Sequence, residues 1–153
     1  MTRDDLAAGM VEAAQYIGAR THAIGVGIDL VDIDRVEALL ARHGERALRR
    51  LLTEQEQAYC RDMARPAQHV AARLAAKEAS YKALQLAADA RGVGWLDSEV
   101  VVGAEGRPTL RLHGRAETAA ARLQASDALI SLTHSRHAAA AVVVLTGSAA
   151  ERQ

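Results

Sequence analysis

The chain has to build its interior almost without aromatic rings. Its 153 residues include three Tyr, one Trp and no Phe, although half of all positions are hydrophobic. Leu, Val, Ile and a great deal of Ala must therefore fill the core. Alanine favours helix and lets packed elements approach closely, so a compact chain with substantial helix is expected. The same scarcity leaves too few rings for a platform on which bases could stack. Charge argues in the same direction. Nineteen basic residues balance nineteen acidic ones, whereas a nucleic-acid binder usually carries a basic excess.

The length suits a single domain with one core. The lone Cys60 excludes an internal disulfide and a cysteine-rich metal site. It fits a reducing cytosol and reads as a small buried hydrophobe at a helix end. No stretch approaches the roughly 20 apolar residues of a membrane span. At the N-terminus Thr2 suits a helix cap, with Asp4 and Asp5 at the positive end of the dipole. Leu6, Met10, Ala13 and Ile17 then recur on one helical face. Acids stand where a signal peptide carries bases. Residues 1–20 thus read as an amphipathic helical extension, and the cytoplasm is the expected compartment.

Ala23 to Asp29 reads as a buried strand ending in a carboxylate. Helix follows from Asp32, with Gly44 capping or breaking it. Thr53 and Glu56 form a capping box that starts another helix. After Pro66 an Ala-rich helix is expected from Ala67 to Ala88. Trp95 to Val102 reads as a strand, Glu105 to Pro108 as a turn, and Thr109 to Leu112 as the return strand. Ala116 to Leu123 reads as helix. Ala128 to Thr133 and Ala138 to Leu145 read as strands joined by the turn His134-Ser135-Arg136-His137. The sum is an α+β domain at residues 21–147, with helices packed on a mainly antiparallel sheet. Residues 148–153 are expected to fray.

Four features could carry chemistry. Asp29 closes an otherwise apolar strand, so it must be solvated, paired or metal-bound; taken singly, it reads first as a plain helix-opening acid beside Asp32 and Asp34. In Arg73-Leu74-Ala75-Ala76-Lys77-Glu78-Ala79-Ser80-Tyr81-Lys82, one acid stands among three bases beside small residues. That combination suits a magnesium–polyphosphate site, and it also suits a solvated face of ion pairs. His134, flanked by hydroxyls, could bond a phosphate or assist proton transfer, or be a surface turn residue. On the helix from Asp32, Arg35, Arg42, Arg46 and Arg49 fall within about 60° of one another, with Leu39 at the basic edge. This suits docking of an acidic helical partner, or a solvated face.

Taken together, these segments resemble the holo-acyl-carrier-protein synthase family of 4'-phosphopantetheinyl transferases. The resemblance starts at Gly25-Val26-Gly27-Ile28-Asp29 and includes Arg35 and Leu52-Thr53-Glu54-Gln55-Glu56. It is strongest from Arg73 to Ala79 with Lys82, and continues through Trp95 to Val100, Gly106-Arg107-Pro108 and Ser131 to Ser135. The resemblance implies a 4'-phosphopantetheinyl transferase-like fold. It implies that Asp29 and Glu78 hold Mg2+ against the pyrophosphate of coenzyme A. Lys82 would steady the phosphate and act with Glu78 and His134 in catalysis. Arg73, Lys77, Lys82, Pro108 and His134 would line the coenzyme A site. Arg35, Leu39 and Arg42 would meet an acidic apo acyl carrier protein. The family also implies a homotrimer with sites between subunits. It does not separate a carrier of fatty acid biosynthesis from one of another pathway.

Three departures from the family stand out. Gln85-Leu86-Ala87-Ala88 replaces the usual glycine-rich stretch after the lysine, so the helix is expected to run longer. Leu74 replaces a usual Phe, and Asp32 stands where Glu is common. Two other readings remain open: a carrier-binding scaffold that lost turnover, and a different magnesium-dependent phosphotransferase.

Overall fold

The computed structural model describes residues 21–148; the expected N-terminal helix and the last five residues lie outside the described residues. The elements are β1 (Thr21–Asp32), α1 (Ile33–Leu51), α2 (Glu54–Arg61), α3 (Pro66–Leu84), β2 (Ser98–Val102), β3 (Pro108–Leu112), α4 (Gly114–Arg122), β4 (Asp127–His134) and β5 (Ala138–Ser148). Two 3-10 turns, Ala88–Gly92 and Trp95–Asp97, connect α3 to β2. The strands form two antiparallel sheets, one of order β1-β5-β4 and one from the hairpin β2-β3. The α+β expectation holds, with the strands divided between two sheets.

Alanine decides how the layers meet. Ala71, Ala75, Ala76, Ala79 and Ala83 of α3 are buried, as are Ala139, Ala141, Val143 and Leu145 of β5. The β5 residues alternate along the strand and so share the face that packs on α3. Gly25 and Gly27 of β1 complete the close approach. A Cβ at either position would run into the backbone carbonyl of Ala83 or Ala79. A second cluster gathers Ile33, Val36, Leu52, Cys60, Val70 and Leu74 between α1, α2 and α3. Cys60 is a buried small hydrophobe, as expected.

Several boundaries differ from the sequence expectation. β1 continues three residues past Asp29, because Leu30, Val31 and Asp32 pair with Ala140, Ala139 and Ala138. Asp29 therefore lies within the strand rather than at its end. Ser148 pairs with Thr21 and belongs to β5, not to a frayed tail. α1 starts on Asp32, whose carboxylate accepts the Arg35 amide at 3.1 Å. Gly44 does break this helix, at φ 47° and ψ −130°. The Trp95 segment is a 3-10 turn held by Asp97, which accepts the Gly94 amide at 2.7 Å.

α3 ends at Leu84 and does not reach Ala88. Leu84, Ala87 and Ala90 are all buried in the core. Their spacing of three would drift around an α-helix, whereas a 3-10 turn keeps residues i and i+3 in line. The chain tightens accordingly, with the Ala87 amide on the Leu84 carbonyl at 2.9 Å.

Candidate active site

A groove of about 500 Å3 opens between β1, α1 and α3. Asp29 and Asp32 of β1, Arg35 and Leu39 of α1, Leu74 and Glu78 of α3, and Trp95 line it. Asp29 shares the α3-facing side of the sheet with its partner Ala141. From α3, Lys82 reaches back to Asp29 at 2.9 Å and to the Ile28 carbonyl at 2.9 Å. The packing of α3 on Gly25 and Gly27 thus brings a strand carboxylate, a helix carboxylate and a lysine to one edge.

Two carboxylates facing an open groove suit magnesium. That ion takes one or two protein carboxylates and fills its other positions with water and phosphate oxygens. Among the described residues no group of three or more His, Cys, Asp or Glu could form a closed metal centre. The donor set therefore fits Mg2+ held jointly with a phosphate ligand. Lys82 already neutralises one Asp29 oxygen and remains 44 % exposed, accessible to such a ligand.

Arg35 and Leu39, expected on a docking surface, line this groove. Arg42 lies exposed on the same side of the Gly44 break. Arg46 and Arg49 follow the break, so one helical wheel does not carry all four arginines together.

Lys77 departs from expectation. Its side chain is 2 % exposed, and its ammonium is paired with Glu56 at 2.8 Å. It also donates to the carbonyls of Trp95, at 2.6 Å, and of Ser98. An ammonium with three internal acceptors has no proton left for a coenzyme A phosphate. The expected ligand contact is corrected to an internal one.

Arg73 is also buried, with its guanidinium 4.2 Å above the Tyr59 ring and one N–H donated to the His69 carbonyl. Among the described residues its Nε has no hydrogen-bond partner. Burial first, then the charges of Arg73 and His134, hold the His69 imidazole below its usual pKa. His134 itself is exposed at the end of β4 and meets Gln68 of α3 at 3.0 Å. Gln68 precedes Glu78 by ten residues, about 15 Å of helix. His134 thus meets α3 well toward its N-terminal end from Glu78. Pro108 starts β3 opposite Val102 in the second sheet, and is not among the groove residues.

Trp95, expected as the start of a strand and part of the family resemblance, walls the groove, a role not expected from the sequence. Its place as the sole tryptophan beside a Gly-x-Gly stretch was the available signal. The burial of Glu56, visible in the sequence only as half of a capping box, was likewise not expected.

Comparison with known proteins identifies the family. The sequence pattern of the 4'-phosphopantetheinyl transferase superfamily matches residues 25–143, so the chain belongs to that superfamily. A holo-[acyl-carrier-protein] synthase of Geobacter metallireducens is 46% identical over 121 residues, covering 79% of this chain and 95% of the relative. One from Thermus thermophilus is 48% identical over 127 residues, 82% of this chain and 95% of that protein. Within the superfamily, the chain is a member of the holo-[acyl-carrier-protein] synthase family. Among solved structures, the Helicobacter pylori synthase in complex with coenzyme A superposes with a TM-score of 0.66 at 28% identity, covering 78% of this chain and 98% of that one. The Plasmodium yoelii synthase, at 23% identity, shares the fold with a TM-score of 0.72 over 84% of this chain and 98% of its own. Among the described residues, no helix is long and apolar enough to cross a membrane.

Proposed function

We propose that this chain transfers the 4'-phosphopantetheine arm of coenzyme A to a serine of an apo acyl carrier protein, leaving adenosine 3',5'-bisphosphate. The observation that carries the proposal is that Asp29, Glu78, Arg35 and Leu39 line one groove. Phosphate chemistry and carrier docking then meet at a single place. The serine oxygen attacks the β-phosphorus, and the bond from that phosphorus to the bridging oxygen breaks. Glu78, on the groove wall, would accept the serine proton. Lys82 holds Asp29 in position and offsets charge on the phosphates. Magnesium, when held by Asp29 and Glu78, would supply charge neutralisation on the pyrophosphate. Arg35 and Arg42 would attract the acidic carrier, and Leu39 would give it an apolar anchor.

His134 joins this chemistry from a neighbouring copy, in a homotrimer with sites between subunits. The outer face of the three-stranded sheet supports such an assembly. Val26, Ile28, Leu30 and Leu129 are 61, 64, 69 and 55 % exposed. In register, Val26, Val144 and Leu129 form one apolar row. An exposed apolar face of this kind marks an interface. The enzyme is expected in the cytoplasm, where apo carriers and coenzyme A meet.

The test is incubation with coenzyme A, Mg2+ and a panel of apo carrier proteins. A carrier gaining the mass of one phosphopantetheine supports the proposal. Binding to carriers with no mass gain on any of them would instead leave a scaffold. Preferential thermal stabilisation by ATP over coenzyme A would point to a different phosphotransferase.

A further inference from the structure

Lys77 is the residue before Glu78, yet it points inward and belongs to a buried polar seam. Its partners are Glu56, the Trp95 carbonyl and the Ser98 carbonyl. Glu56 is completed by the backbone amides of Thr53 at 3.0 Å and Val100 at 2.9 Å. One ion pair therefore ties α2 and α3 to both ends of the turn that carries Trp95. The turn is also held by the Gly94 amide on Asp97, the His113 amide on the Asp97 carbonyl at 2.7 Å and the Ser80–Ser98 side-chain bond at 2.9 Å, and Trp95 packs against the second core cluster; among these contacts only Lys77 grips the Trp95 carbonyl. On its other side, Trp95 lines the groove with Asp29 and Glu78. It also lines a smaller hollow of about 220 Å3 with Glu78, Tyr81 and Arg91. Trp95 thus borders both hollows, and so does Glu78.

A buried ion pair is a poor way to gain stability, since apolar residues of similar volume often do as well or better. What apolar residues cannot do is hold a carbonyl in a set direction. We propose that Lys77 is a positioning residue: by gripping the Trp95 and Ser98 carbonyls it sets the Trp95 ring against Glu78 and fixes the width of the groove. This deepens the transferase proposal and rests on it, since the groove is taken as the transfer site.

Trp95 is the chain's only tryptophan, so its fluorescence reports on this position directly. Lys77→Met keeps the unbranched stem, one atom shorter, and removes its donors, and Lys77→Arg restores charge and donors. Each variant is checked for folding by circular dichroism well below its melting temperature. For Lys77→Met, emission shifts to the red and acrylamide quenching rises. Its kcat/KM for coenzyme A falls about tenfold to a hundredfold, chiefly in kcat, as expected when a reacting group is slightly misplaced. Lys77→Arg recovers part of both. A folded Lys77→Met protein with wild-type emission, quenching and kcat/KM overturns the proposal. Should Lys77→Met not fold, Glu56→Gln, which keeps an oxygen for the Val100 amide, is read by the same two measurements with the same criteria. If the wild type transfers to no carrier, the transferase proposal fails, while unchanged fluorescence in the variants separately overturns the grip on Trp95.

Discussion

Lys77 and Lys82 lie five residues apart on α3 and differ in everything that surrounds them. Lys77 is enclosed with Glu56, while Lys82 spans exposed space to Asp29. The contrast decides what each can do for a ligand. The Lys82–Asp29 pair is partly solvated, so losing it removes at most about 1 kcal/mol of stability. Asp29→Ala and Glu78→Ala should each abolish Mg2+-dependent transfer while leaving the melting temperature nearly unchanged. Calorimetry beside the carrier mass assay checks this, and chelation should mimic both variants in the wild type. Glu99 tests the seam differently. Burial pushes its carboxyl pKa up, but bonds from Thr53 and His113 overcome this and hold it below the ordinary value. A depressed folded pKa contributes stability above the unfolded value and loses it as pH falls through the folded one. Glu99→Gln should therefore lower stability at neutral pH and flatten its loss in acid, as read by urea midpoints across that range.

At the scale of elements, the β1–α3 contact matters most. Gly27→Ala would drive a Cβ into the Ala79 carbonyl, and overpacking of this kind costs about 1–3 kcal/mol. A fall in the urea midpoint is expected, together with weaker transfer, because the same contact aligns Asp29 with Glu78 and Lys82. On α1, the Gly44 break separates a groove-facing half from the remainder. Arg35→Glu should raise KM for the carrier with little change in KM for coenzyme A, and the defect should shrink as salt screens the charges. An equal defect from Arg49→Glu would argue against a docking surface confined to the first half.

For the whole molecule, the separation of His134 from Glu78 along α3 is the central fact. Under the trimer proposal, a site using both would draw His134 from one copy and Glu78 from another, joined through the apolar outer sheet face. Co-refolding Asp29→Ala with His134→Ala chains should restore part of the transfer that each lacks alone, since mixed assemblies contain some intact sites. No recovery, in a preparation shown by ultracentrifugation to be mixed trimers, would place both groups in one subunit's chemistry or remove His134 from it.

Much of this protein was decided by its sequence alone. Ala and Gly in place of rings dictated a close helix–sheet contact, and Thr53 with Glu56 dictated a cap. The ordered set from Asp29 through Glu78 to His134 pointed to the family. These are local or pairwise properties, carried by spacing. Tertiary structure decided the remainder. Whether a lysine in the helix faces groove or core depends on what lies across from it, and Glu56 arrives opposite Lys77 only through the packing of α2. The end of α3 was likewise fixed by burial of Ala87 and Ala90 rather than by helix propensity. The groove exists because β1, α1 and α3 converge, and no spacing along the chain encodes which face Trp95 turns toward Glu78.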